Sequence, residues 1–319
     1  MKNNLFGGMD MGSFKNHIFI LGALLIALLA FMAAGCGSAE SKQVKDLSLK
    51  VGLMPAVDSA PVLLAEKKGY FKELGLYVSL EIYNNAQDRQ SALQTKSIDG
   101  AITDLIAVAA NVDAGFDIRA TTMTNGVFPV LSKKGSESRQ HIKVGMMEVS
   151  VSNFLIDEWL GNKYTIEKVY INEIPGRLAA IGSGQLDMGL FPEPVASMGE
   201  INGLEKKIYQ SADPYCPDVI VFTGKALKEK QEAVELFHEA YNKAIEDINN
   251  NQQAARDILM EKIPNLKPEV RDSMILPKYT KVSLPDNQYI DRIIRWTSKV
   301  LDKDFKVKAD DLIERKFIE

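Results

Sequence analysis

From Leu47 onward the chain alternates short β-branched runs with stretches of helical periodicity, and this rhythm limits the folds open to it more than any other feature. LSLKVGLM is followed by PVLLAEKKGYF, LYVSLEIY, AQDRQSALQTKS, GAITD, LIAVAANVDAG and IRATTMTN. Strands separated by helices cannot be joined by hairpins, so they pair mostly in parallel and the helices cover the sheet. A second series opens at FPVLSKK and continues through IKVGMM, SNFLIDEWLGN, KVYINEIP, GRLAAIGSGQ, DMGLFPEP and KKIYQSA. Two such series predict an α/β protein with two units.

After DPYCP the chain gives one more strand-like run, VIVFTG, and then turns helical. One helix is expected over Ala226 to Asn249, because Leu227, Val234, Phe237, Tyr241, Ile245 and Ile248 recur at three-to-four spacing. Tyr289, Ile293, Trp296 and Val300 repeat the pattern, which puts both Trp296 and the earlier Trp159 on helices. Such stripes are read as core packing.

The first 35 residues differ from the rest. Lys2, Lys15 and His17 precede an apolar run from Ile18 to Ala34 that ends in small residues, the anatomy of a secretory signal peptide over residues 1–35. Ala33-Ala34-Gly35-Cys36 resembles a bacterial lipobox, although Ala33 stands where that pattern favours Leu. On this reading Cys36 becomes the lipidated first residue, and residues 36–46, small and polar, form a flexible tether. The alternative is an ordinary signal peptide, which would leave Cys36 as an unpaired thiol.

The formal charge is −4, and removing Lys2, Lys15 and Asp10 with the leader makes the remainder slightly more acidic, which argues against nucleic acid as a partner. Beyond Cys36 the only cysteine is Cys216, so the processed chain has no intrachain disulfide. His141 and His238 stand in charged surroundings and are expected to be exposed. There is no HExxH, no cysteine cluster, no Ser-elbow pentapeptide and no phosphate-binding loop. No catalytic residue, no metal and no cofactor is therefore expected.

Several segments, taken in order, carry a family resemblance. They are APVLLAEKKGYFKELGLYVSLE from Ala60 to Glu81, LQTKSIDGAITD, AAIGSGQLDMGLFPEP and the closing KADDLIERKFIE. Over residues 47–319 the chain resembles type 2 periplasmic binding proteins, in the group shared by sulfonate, nitrate and taurine binders and by thiamine-pyrimidine binders (NMT1/THI5-like, SsuA-like). The resemblance implies a two-lobed α/β fold of mixed sheets flanked by helices, with the ligand cleft between the lobes. Lobe 1 is then expected from residues 47–126 plus 217–319 and lobe 2 from 127–216. The crossings fall near Asn125 to Phe128, loosened by Gly126, and near Pro214 to Asp218, stiffened by Pro214 and Pro217.

In open α/β sheets ligands lie beyond the carboxyl ends of the strands, so the loops there hold the candidate site residues. Asp58 and Ser59 either cap the helix that follows or touch the ligand. Thr103 and Asn125 end strands and project polar atoms, while Asp104 is a helix cap or a ligand partner. In the second series the candidates are Glu148, Ser150 and Ser152 before a helix, with the two serines foremost. Arg177 stands where the related loop commonly carries an acidic or amide residue; it either clamps an anionic group in a bidentate way or makes a surface salt bridge. Glu193, within Phe191-Pro192-Glu193-Pro194, faces solute or hinge. Acids outnumber Arg177 in these loops, which leans toward a neutral, amine-bearing or zwitterionic ligand.

The function implied is that of an extracytoplasmic solute-binding lipoprotein of an ABC importer, a monomer that captures a small solute by hinge closure and delivers it to a permease and ATPase complex. It would be held to the outer face of the cell membrane by its lipid anchor. The competing readings are a solute-sensing receptor module and, below it, an enzyme of the thiamine-pyrimidine synthase type.

Overall fold

The computed structural model describes residues 46–211 and 213–318. The expected signal peptide, Cys36 and all but the last residue of the expected tether lie outside them. Among the described residues no helix is long and apolar enough to cross a membrane.

Residues 46–318 form one compact unit with two five-stranded sheets. The first sheet holds β1 (Ser48–Leu53), β2 (Tyr77–Ile82), β3 (Gly100–Asp104), β4 (Ile118–Met123) and β10 (Asp218–Thr223), in the order β2-β1-β3-β10-β4. The second holds β5 (Val130–Ser132), β6 (His141–Met146), β7 (Thr165–Tyr170), β8 (Met188–Leu190) and β9 (Glu205–Lys207), in the order β7-β6-β8-β5-β9. In each sheet four strands share one direction, and one antiparallel strand, β10 or β5, is inserted between the last of them, β4 or β9, and the other three. The two sheets thus repeat one plan. The chain leaves the first sheet after β4 and re-enters it as β10, so two crossings join the lobes, over residues 124–129 and 208–217.

Burial explains why the central strands read as continuous apolar runs. Every residue of β3 and β10 is buried, because helices cover both faces of the first sheet. Ile220 and Phe222 pack against Val234, Phe237, Tyr241 and Ile245 of the helix Gln231–Asn250. Val219 and Val221 point the other way, toward Tyr289, Ile290 and Ile293 of the helix Asn287–Val300. Tyr77, at the start of the edge strand β2, is 78 % exposed, as an edge position permits.

Elements differ from the sequence expectation where a local backbone feature intervenes. The helix expected over Ala226–Asn249 is two, Gly224–Glu229 and Gln231–Asn250, with Lys230 between them at φ −123°. Only Glu205–Lys207 of the region around KKIYQSA pairs as a strand. Gly69 closes the helix Ala60–Lys68 with φ +79°, a left-handed conformation that glycine adopts at little cost. Gly126 was expected to loosen its crossing, but a Cβ there would lie 2.5 Å from Phe128 Cε2 and 2.7 Å from Asp218 Oδ2. It is a glycine for want of space.

His238 also departs from expectation. It is 4 % exposed, held between the Val234 carbonyl (2.8 Å) and the Thr121 hydroxyl (3.0 Å), and stacked on Phe317. The acidic neighbours that suggested exposure occupy the other faces of the same helix. Burial pulls its imidazole down to about 4.

Candidate functional site

A cavity of about 90 Å³ lies between the two sheets, at the carboxyl ends of their parallel strands. From the first lobe it is lined by Met54, Asp58, Arg89, Thr103, Asp104 and Asp218, and from the second by Ser150, Ser152, Ile174, Arg177, Leu190 and Pro192. A cavity needs only roughly 10–15 Å³ by this measure to hold one water, so this one has room for a small solute.

The charged groups of the first lobe crowd around Arg89. This residue stands one turn into the helix Ala86–Gln94, whose amino end is capped by Asn85 accepting from Asp88 N at 2.8 Å. Its Nη2 donates to Thr103 Oγ1 at 2.8 Å, while its Nε is buried without an acceptor. Burial lowers the pKa of the guanidinium, and attraction to Asp104, Asp218 and Asp58 opposes that shift.

Three carboxylates therefore face one guanidinium. Asp58 accepts from Thr124 Oγ1 at 3.0 Å, yet burial still pushes it up to about 6. Asp218 rises well above the ordinary carboxylate range, through burial first and repulsion from Asp58 and Asp104 second. Asp104 is raised by burial too. It caps the helix Leu105–Asp113 through Ala107 N at 2.8 Å, and its second oxygen meets Val151 N of the other lobe at 3.4 Å.

The second lobe presents a different wall. Ser150 Oγ donates to the Met147 carbonyl at 3.1 Å, and Ser152 Oγ, 2.7 Å from Ser150 Oγ, accepts from Met147 N at 3.0 Å. With the Ser150 proton committed to that carbonyl, Ser152 donates to Ser150. Both hydroxyl protons thus hold the loop that opens the helix Val151–Leu160, and lone pairs and backbone are left for the cavity.

Arg177, in the first turns of the helix Ile174–Gly182, is 3 % exposed, and its Nε and Nη1 have no hydrogen-bond acceptor. Its guanidinium carbon sits 5.5 Å from the centre of the Phe191 ring. Burial pulls it down to about 10, and no nearby carboxylate offsets the fall. The surface salt bridge considered for Arg177 is therefore not what the fold builds: the side chain is inside.

Of the residues singled out in the sequence, the structure gathers Asp58, Thr103, Ser150, Ser152 and Arg177 around this cavity, with Asp104 among them. Ser59 is buried beside it and donates to the Met54 carbonyl at 2.8 Å. Neither Asp58 nor Ser59 caps the helix Ala60–Lys68 through its side chain, because a 3-10 turn over Val57–Ser59 runs directly into that helix. Asn125 turns toward Thr280, accepting from its N (2.8 Å) and Oγ1 (3.1 Å), and so ties the first crossing to the C-terminal segment. Glu148 is not on this lining but on an adjoining recess of about 280 Å³, with Gln87, Gln90, Asn111 and Asn172, that shares Ala86, Arg89, Asp104 and Met147 with the cavity.

Glu193 is fully buried but faces the hinge. Ser197 N and Oγ, Lys206 Nζ and Ile275 N all donate to its carboxylate, at 2.8 to 3.3 Å. Its carbonyl accepts from Val57 N at 2.9 Å, so this one residue joins the lobes through both backbone and side chain.

Arg89 and Asp218 were not singled out, although both line the cavity. Arg89 sits in a polar helix whose pattern gives no hint of burial, and Asp218 stands at the start of a strand beside a crossing. A signal for Arg89 was nonetheless present. Arg89 and Asp99 bear the same spacing as Arg177 and Asp187, and those two aspartates do the same work, accepting from Lys50 N and Lys143 N at 2.9 and 2.8 Å.

The cleft is closed by contacts on its far side as well. Trp296 Nε1 donates to Asp157 Oδ2 at 3.0 Å, its ring meets Phe154 edge to face, and Arg292 pairs with Glu158 at 3.1 Å. These join the helix Asn287–Val300 of the first lobe to the helix Val151–Leu160 of the second.

No curated protein matches the sequence. Among solved structures, the ligand-binding component of an ABC-type import system from Staphylococcus aureus, with zinc bound, superposes with a TM-score of 0.71 at 20 % identity, covering 85 % of this chain and 97 % of that one. The alkanesulfonate-binding protein SsuA from Xanthomonas axonopodis pv. citri, bound to MOPS, gives 0.68 at 15 % identity over 85 % and 99 % of the chains. The periplasmic nitrate-binding protein NrtA from Synechocystis gives 0.59 at 13 % identity over 73 % and 68 %. The family described as NMT1/THI5 like matches residues 56–255. The chain belongs to the NMT1/THI5-like family and has the two-lobed fold of the type 2 periplasmic binding proteins.

Proposed function

We propose that this protein captures a small organic solute in the cavity between its lobes and delivers it to the permease and ATPase of an ABC importer. The observation that carries the reading is Arg177, a buried guanidinium with unpaired N–H groups on a cavity that both lobes line. An unpaired buried charge costs stability, so its retention points to a ligand that pairs with it. The contacts proposed are Asp58, Thr103, Asp104, Ser150, Ser152 and Arg177, all considered from the sequence, together with Arg89 and Asp218. The named neighbours, an ABC importer component, a sulfonate binder and a nitrate binder, support the role.

The lining speaks for binding rather than catalysis. It contains no histidine to activate Ser150 or Ser152, and the hydroxyl protons of both are already donated within the loop. Cys216 lies next to Asp218, but burial raises its thiol well above the usual range, which disfavours the reactive thiolate. The lipobox-like Ala33-Ala34-Gly35-Cys36 supports secretion behind a signal peptide and attachment to the outer face of the membrane through a lipid on Cys36.

Thermal shift against sulfonates, nitrate, amino acids and aminopyrimidines tests the role. Binding to the folded state stabilises it by RT ln(1 + [L]/Kd), about 2.7 kcal/mol at a hundredfold excess over Kd. A saturable rise with members of one class is expected, together with a more compact shape in small-angle scattering. No shift with any class would refute solute capture.

A further inference from the structure

The two lobes carry the same stretch of scaffold in the same register. Tyr77 and Thr165 open the equivalent strands β2 and β7, Ala86 and Ile174 open the helices that follow, and Asp99 and Asp187 brace the neighbouring strands in the same way. Arg89 and Arg177 fall at equivalent places, each the fourth residue of its helix, each buried, each with its Nε lacking an acceptor, and each lining the cavity from its own side.

Their surroundings are opposite. Arg89 shares its space with Asp58, Asp104 and Asp218, a cluster with two more negative than positive groups when all are ionised. Arg177 has no carboxylate close enough to influence it. Among the described residues no side chain donates a hydrogen bond to the Asp218 carboxylate, whereas Asp58 has Thr124 and Asp104 has the helix amino end. One pole of the cavity thus has acid to spare and the other an unmatched guanidinium.

We propose that the solute is a small zwitterion, carrying a protonated nitrogen that lies against Asp218 and Asp58 and a carboxylate or sulfonate that takes the free N–H groups of Arg177. This rests on the solute-capture reading and names its ligand class. An anion alone would leave Asp218 dependent on a bound proton to sit beside Asp58, and a cation alone would leave Arg177 buried and unpaired. A molecule with both charges satisfies the two poles at once and spans the lobes, so its binding and the closure of the cleft become one event.

The test is calorimetric titration of the purified protein with matched sets: β-alanine, propionate and ethylamine; γ-aminobutyrate, butyrate and propylamine; taurine and ethanesulfonate; and 4-aminopyrimidine as an uncharged heterocycle. Within at least one set the zwitterion is expected to bind at least about tenfold more tightly than either single-charge partner, each charge-assisted contact being worth about that much. The carboxylate and sulfonate sets distinguish the two anions. Asp218→Asn should erase the preference of zwitterion over anion, and Arg177→Met that of zwitterion over amine, with thermal melts checking that both variants fold. The proposal is overturned if a simple anion or amine binds as well as its zwitterion, or if 4-aminopyrimidine is the sole binder; either result leaves solute capture standing. Binding of none of these compounds would overturn the proposal and count against capture itself.

Discussion

Arg177→Met tests how the site is held against stability. The guanidinium of Arg177 is nearly inaccessible, its Nε and Nη1 make no hydrogen bond, and burial lowers it from 12.5 to about 10. At about 1.36 kcal/mol per pKa unit, a depression of that size corresponds to about 3 kcal/mol that the folded protein loses at neutral pH by keeping the charge. Methionine reproduces much of the side-chain length, keeps contact with the Phe191 ring and needs no hydrogen-bond partner. The closed form of the variant is therefore expected to gain up to about 1–3 kcal/mol over that of the parent, since some of the gain is lost to imperfect packing, and unfolding without solute reads the part that the parent does not already recover by opening. For a chain of this size that is a rise of up to a few degrees in Tm. Chemical denaturation and calorimetry of the two proteins at pH 7 make the comparison. A fall in stability would refute the argument, because it would mean that the guanidinium is paired and structural in solution.

Other outcomes follow from single residues. His238, held at about 4 by burial against 6.5 in an unfolded chain, binds a proton in the unfolded state before it does in the folded one, so its contribution to stability falls as pH drops from 6.5 toward 4. Asp58, raised to about 6, has the opposite sign and favours the folded state as pH falls from 6 toward 3.8. His238→Gln is accordingly expected to lose about 2–3 kcal/mol less than the parent between pH 7 and pH 4.5, measured by urea unfolding. Gly126→Ala, whose Cβ would press on Phe128 and the Asp218 carboxylate, should cost about 1–3 kcal/mol and weaken solute binding in the same titrations. Trp296→Phe removes the bond to Asp157 while keeping an aromatic against Phe154, and scattering at a fixed, near-saturating solute concentration should show a more open mean shape than the parent. An unchanged profile would show that this contact does not hold the cleft.

The alternating plan of strands and helices could be read from the chain because both are set locally: β3 and β10 are apolar throughout since helices cover both sheet faces, and the stripe Val234, Phe237, Tyr241, Ile245 is buried as its spacing requires. Asp58, Thr103, Ser150, Ser152 and Arg177 are legible for an equally local reason, since strand ends are where parallel sheets open. What escaped depends on partners distant in sequence. Glu193 looks like a ligand group until Lys206, Ser197 and Ile275 converge on it. Asn125 looks available until Thr280 arrives from the far end of the chain. His238 sits among acidic residues, and only Thr121 and Phe317 make its face an interior one. Arg89 required comparing one lobe with the other, which a single pass along the chain does not do.

That comparison also bears on how closure is made to depend on solute. A cleft lined by neutral side chains can close unliganded at little cost, since apolar contact and the Trp296–Asp157 bond favour it in any case. With Arg177 on one wall, closing without an anion strips water from a guanidinium that finds no acceptor, so the ligand-free protein is biased toward an open form in which the group stays hydrated. A solute that supplies the acceptor removes that penalty only in the closed form, and such differential affinity is the sole means by which a ligand can shift the equilibrium. If about 3 kcal/mol attends the bare charge, ordering of the two forms can change by about a hundredfold when it is matched. Arg177→Met should then close spontaneously: scattering of the ligand-free variant is expected to match the solute-bound parent. A variant as open as the ligand-free parent would show that the charge decides which solute binds and leaves closure to other contacts.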